Sequence, residues 1–150
     1  MARPSDNTDS DTPMALLVSD TASVRDEVAS VLGGMGIVVR EASAGEQVTP
    51  LAKATRFDLI VLDMQIGNMG GVAACMDLRL EESGGRLEHV GVLMLLDRRA
   101  DVFLARRSGA EGWVIKPLDP IRLRRGINAL LSGSTYHDPS YLPFPVTVGG

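Results

Sequence analysis

Fifteen residues of this 150-residue chain are basic, yet only two of them are lysine, Lys53 and Lys116. A lysine used for chemistry therefore stands out. Lys116 follows the apolar run Trp113–Ile115 and precedes Pro117. Three acids stand in the same relation to an apolar run: Asp20 after Met14–Val18, Asp63 after Leu59–Leu62, and Asp97 after Val90–Leu96. Ser19 separates the first run from Asp20. Carboxylates gathered at one place repel one another, by about 4 kcal/mol for a pair 4 Å apart at an effective dielectric of 20. A hard, oxygen-preferring cation such as Mg²⁺ relieves that repulsion. A lysine adds a mobile point charge suited to a phosphate oxygen. Carboxylate, metal and lysine together can accept a phosphoryl group. Solvated strand-end charges with a surface ion pair would leave the same pattern, and charge alone does not separate the two.

The elements that must position these residues alternate. Apolar runs at Met14–Val18, Ile37–Val39, Leu59–Leu62, Val90–Leu96 and Trp113–Ile115 have the length of buried strands. Segments of helical period lie between them. Val24, Val28, Val31 and Leu32 share one face, as do Val72, Cys75, Met76 and Leu80, and Leu123, Ile127, Leu130 and Leu131. Ser23 is placed to cap the first helix, with Asp26 and Glu27 in its first turn and Gly33–Gly34 at its end. The second, about 45–54, is weakened by Pro50. The fourth is expected over about 100–108, before Gly109, and Pro120 opens the fifth at a tolerated position. Five strands alternating with five helices predict an α/β fold, a doubly wound five-stranded parallel sheet covered on both faces. Ligands of such sheets bind at the carboxyl ends of the strands, where Asp20, Asp63, Asp97 and Lys116 fall.

Composition excludes several classes. Leu, Ile, Val and Phe make up 28% of the chain, too many for a disordered protein. Cys75 is the only cysteine, so neither an intrachain disulfide nor a cysteine-built zinc site is available, and a reducing compartment fits. The longest apolar run, Val90 to Leu96, is far too short to span a membrane. A net charge of −4 argues against a protein built to coat nucleic acid. Residues 1–13 read as a flexible leader, 14–132 as the folded domain and 133–150 as an extended tail rich in proline and aromatics.

Three segments carry a family resemblance. Val18 to Arg25 resembles the first strand and loop of bacterial response-regulator receiver domains. Phe57 to Gly71 is similar to their phosphoacceptor segment, and Ser108 to Pro120 to their lysine–proline segment. The resemblance implies a flavodoxin-like receiver fold in which Asp63 takes a phosphoryl group from a histidine kinase or phosphotransfer protein. Asp20, Asp63 and the carbonyl of Gln65 would hold Mg²⁺, Lys116 would contact the phosphoryl group, and the Lys116–Pro117 peptide would be cis. Trp113 would stand at the switching aromatic, or be a packed core ring.

The chain departs from the family pattern at several positions. Ser19 replaces an acid, which implies weaker Mg²⁺ binding. Leu96 replaces a hydroxyl residue that bonds the phosphoryl group, which implies weakened switching. Asp97 replaces a small residue and would repel a phosphoryl group, pair with Lys116 in the empty site, or stand in solvent. Gly67, Asn68, Gly70 and Gly71 suggest a more flexible loop.

Residues 98–131 hold eight basic side chains against three acidic ones, on a face that the resemblance implies for dimerisation or output. No helix-turn-helix unit follows residue 132, so direct DNA binding is not expected. The expectation is a stand-alone, cytoplasmic, non-enzymatic receiver that signals to an unknown output protein. Its alternative is a pseudo-receiver, an interaction module that works without phosphorylation.

Overall fold

The computed structural model describes residues 12–67 and 69–140. Strands β1 (Met14–Val18), β2 (Val38–Ala42), β3 (Leu59–Asp63), β4 (Gly91–Leu96), β5 (Gly112–Ile115) and β6 (Tyr136–His137) form one parallel sheet in the order β2-β1-β3-β4-β5-β6. Helices α1 (Ala22–Gly34), α2 (Val48–Ala54), α3 (Gly71–Ser83), α4 (Val102–Ser108) and α5 (Pro120–Leu131) are the crossovers. Short 3₁₀ turns at Gly45–Gln47 and Arg99–Asp101 precede α2 and α4. The sheet thus has six strands where five were expected. The extra strand is two residues long, with no hydrophobic alternation to announce it.

The central strands are buried on both faces, and alternate residues enter two cores. Leu16, Ile60, Met94 and Trp113 pack under α2, α3 and α4. Leu17, Val61, Leu93 and Val114 pack under α1 and α5. Near-continuous apolar strands follow from that double covering. The first strand was delimited as it stands, whereas the second runs over 38–42 rather than 37–39.

Helix boundaries and faces need four corrections. Thr21, not Ser23, is the N-cap of α1 and makes no side-chain cap bond; Asp26 and Glu27 lie beyond the first turn. α1 runs through Gly33 and Gly34, and Gly36 takes the left-handed conformation after it, at φ 78°. Pro50 lies in the first turn of α2, where its missing N–H costs no helix bond. In α3 the buried residues are Gly71, Ala74, Cys75 and Leu78, while Met76 and Leu80 are exposed. Small residues face the sheet there because the helix packs close to it, and side-chain size does not reveal that in advance.

Candidate functional site

At the carboxyl edge of the sheet Asp63 ends β3 with its side chain almost wholly buried. Its charge is compensated on two sides. Lys116 Nζ stands 2.8 Å from Asp63 Oδ1, and the Gln65 N–H donates to the same oxygen at 3.2 Å. Ser19 Oγ, itself buried, donates to Asp63 Oδ2 at 2.8 Å and accepts the Thr21 N–H. Gly71 lets α3 start against this turn: a Cβ there would come within 2.5 Å of the Asp63 carbonyl oxygen and 2.8 Å of Met64 Cα.

Lys116 is shared. Its ammonium also meets Asp97 Oδ1 at 2.9 Å, so two carboxylates divide one cation. Of the roles open to Asp97, the structure places it on Lys116. Burial opposes the charge on Lys116, but the hydrogen bonds to Asp63 and Asp97 outweigh it and hold the pKa above the ordinary lysine value. The Lys116–Pro117 peptide is cis.

Asp20 is exposed beside this cluster and accepts the Gly67 N–H at 2.9 Å, which ties the β1 loop to the loop after Asp63. Asp20 and Asp63 supply hard carboxylate oxygens from adjacent loops, a donor set that suits Mg²⁺. Among the described residues no group of three His, Cys, Asp or Glu side chains is arranged to hold a metal. Gly67 has φ 22°, and Asn68 lies outside the described residues.

Leu96 and Trp113 belong to the core rather than to the cleft. Leu96 is fully buried at the end of β4, where its carbonyl accepts the Lys116 N–H at 2.8 Å. Trp113 is 2% exposed. Its ring stacks on His137, with centroids 4.4 Å apart and planes 5° from parallel, and the Arg106 guanidinium lies 5.1 Å from the ring centroid.

Sequence reasoning passed over Arg122, Asp138 and His137 as site residues. Asp119 caps α5 and accepts from Arg122, whose guanidinium also reaches Asp138 and the carbonyls of Ile115 and Pro117. Asp138-Pro139-Ser140 carries the signature of a turn in which an aspartate binds backbone ahead of it, and Asp138 Oδ1 does accept the Ser140 N–H at 2.9 Å. That signal marks a turn and does not say against what it packs. Of the aromatics in the expected tail, Tyr136 is placed, while Tyr141 and Phe144 lie outside the described residues.

The chain matches the family model described as the response regulator receiver domain over residues 15–128, and it belongs to that family. It is 30% identical over 118 residues to the DNA-binding response regulator MtrA of Mycolicibacterium paratuberculosis, a match covering 77% of this chain and 50% of that protein. The chain thus spans about half the length of the curated relatives it matches. Its fold is similar to chemotaxis response regulator CheY4 of Vibrio cholerae, at TM-score 0.71 and 26% identity, over 79% of this chain and 98% of that one. The receiver domain of sensor histidine kinase PA1611 from Pseudomonas aeruginosa shares the fold at TM-score 0.72 and 23% identity, over 81% and 98% of the two chains. That structure is described with a magnesium ion coordinated in its active-site cleft. The receiver family is a signalling module of two-component systems, and no described helix is long and apolar enough to cross a membrane.

Proposed function

We propose that Asp63 accepts a phosphoryl group from the phosphohistidine of a sensor histidine kinase or phosphotransfer protein. In that step an Asp63 oxygen bonds to phosphorus, the P–N bond breaks, and its electron pair returns to the imidazole. The observation that carries the reading is the contact of Lys116 with Asp63 at 2.8 Å inside a family-matched segment. Lys116 steadies the charge on the carboxylate and is placed to meet the incoming phosphoryl oxygens. Mg²⁺, held weakly by Asp20, Asp63 and the Gln65 carbonyl, would neutralise further charge when bound. Ser19 offers no anion to that ion. Leu96 offers no donor to the phosphoryl group, and Asp97 competes for Lys116. Switching is accordingly weak.

Output runs through protein contacts, with the basic 98–131 face as a dimer or partner surface, in the cytoplasm, without direct DNA contact. The receiver unit spans 14–132 together with the β6 segment that pairs with β5 beyond the expected boundary, and 1–13 precedes it. The second reading is a pseudo-receiver that binds partners without phosphorylation. It is favoured by the Ser19 and Asp97 contacts, which satisfy Asp63 and Lys116 within the protein. Incubation with acetyl phosphate and Mg²⁺, read by intact mass, separates the two. The first reading expects one added phosphoryl group on wild type and none on Asp63→Asn. An unmodified wild type supports the second.

A further inference from the structure

The segment after the last helix is built into the domain. Tyr136 pairs with Gly112 and His137 with Trp113 along the free edge of β5. Two glycines make room where it lies. A Cβ on Gly112 would come within 2.8 Å of the Tyr136 carbonyl oxygen, and one on Gly126 within 3.1 Å of Leu93 on β4 and 3.3 Å of the Tyr136 ring. Glycine inside a helix is otherwise disfavoured, so Gly126 in α5 is explained by the β4 and β6 side chains packed on it. Beyond the strand, Asp138 turns inward with its side chain fully buried.

Asp138 grips the loop that carries Lys116. Its Oδ2 accepts the Ile115 N–H at 2.8 Å and a hydrogen bond from Arg122. Arg122 in turn donates to the Ile115 carbonyl at 2.8 Å and to the Pro117 carbonyl. The N–H and C=O before Lys116 and the C=O after it are therefore all held by one Asp–Arg pair. The Lys116 N–H is tied to the end of β4. A lysine side chain is flexible, so the backbone from which it projects decides where its ammonium can rest.

We propose that Asp138 and Arg122 are positioning residues of the phosphoryl-accepting site, and that the segment Tyr136–Ser140 sets where the Lys116 ammonium stands relative to Asp63. This rests on the reading of Asp63 as phosphoacceptor only for its effect on rate. Coupling between sites is reciprocal: whatever draws Lys116 to a new place also loosens or tightens the segment on β5.

With isotope-labelled lysine the chain gives two side-chain Cε resonances, assigned through Lys53→Arg. Asp138→Asn removes the charge that holds Arg122 but leaves an oxygen for the Ile115 N–H. We expect the Lys116 resonance to move, that of Lys53 to stay, and phosphorylation by acetyl phosphate with Mg²⁺ to slow roughly fivefold or more. Asp138→Glu should recover part of both. A lower melting temperature with an unmoved Lys116 resonance would make the segment an edge cover and overturn the proposal. So would a wild-type rate in a variant whose resonance has moved. A moved resonance in a protein whose wild type takes no phosphoryl group upholds the positioning and removes the phosphoacceptor reading instead. Should Asp138→Asn not fold, His137→Ala alters an exposed side chain and loosens the same strand. A changed Trp113 emission with a displaced Lys116 resonance supports the proposal, and an undisturbed Lys116 beside a changed Trp113 refutes it.

Discussion

Lys116 and Arg122 each bridge two carboxylates, and they do so to different ends. Lys116 lies between Asp63 and Asp97, and Arg122 between Asp119 and Asp138. In each pair of acids one is buried and one reaches solvent. The difference lies in the cation. The planar guanidinium of Arg122 satisfies two carboxylates and two backbone carbonyls at once, so its geometry is over-determined. The Lys116 ammonium meets two carboxylates through a flexible stem and can exchange one for another. The first arrangement suits a fixture and the second suits a site. The same charges, two acids to one base, yield stiffness or exchange according to the shape of the cation.

The sharpest way to break the comparison is to truncate each cation. Arg122→Met should lower the unfolding free energy by about 3–5 kcal/mol, the usual cost of stranding one charge of a buried pair, here Asp138. Lys116→Met should cost less, because Lys116 holds only its two carboxylates, whereas Arg122 also ties the Ile115 and Pro117 carbonyls. Urea unfolding of both variants gives the order. A larger loss at Lys116 would mean that the cleft, not the clamp, holds the β5 end of the sheet.

Acid separates the two regions as well. Burial opposes the charge on Asp138, but the Ile115 and Ser140 N–H groups and Arg122 prevail and hold its pKa below the ordinary carboxylate value. A group with a depressed folded pKa contributes stability that is present above its unfolded value, near 3.9 for aspartate. That contribution is lost as the pH falls through the folded value. Asp138→Asn should therefore unfold with a shallower pH dependence below about pH 4 than wild type, followed by Trp113 fluorescence. Parallel curves would mean that Asp138 does not ionise differently on folding.

A smaller effect sharpens the account of Lys116. Asp97→Ala removes its second carboxylate and one anion facing the phosphoryl group. A charge repulsion of about 1 kcal/mol corresponds to roughly a fivefold faster modification of Asp63, measured by intact mass over time. An unchanged rate would mean that Asp97 swings into solvent before transfer. The smallest expected response belongs to the switch itself. Trp113 is buried and contacted by both the His137 ring and the Arg106 guanidinium, so wild-type emission should change little on phosphorylation. Leu96→Thr, which restores a hydroxyl at the end of β4, should enlarge that change. A large wild-type change that Leu96→Thr leaves alone would reveal a different route of switching.

Much of this was legible in the chain. The apolar runs placed five strands, and their alternation with helices implied a parallel sheet covered on both faces, while the strand order came from the structure. Asp63, Asp97 and Lys116 were legible at one edge because each directly follows an apolar run, and Asp20 because it follows one after Ser19. The face of α3 was misread in part: Cys75 is buried as its period indicates, but Met76 and Leu80 point outward while Ala74 and Leu78 face the core. Strand β6 was missed because two residues carry no period.

The sequence by itself determined the parallel sheet and the edge at which its charges meet. Period and apolar run length are local quantities, and the right-handed crossover narrows them to a few topologies of parallel sheet. Tertiary structure alone decided which acid takes which base among the described residues. It gave Lys116 to two carboxylates, turned Asp138 inward beside Arg122, and laid His137 on Trp113. Ion pairing and burial depend on distances across the fold. Asp138 looks like any other turn aspartate until the edge of β5 is beside it.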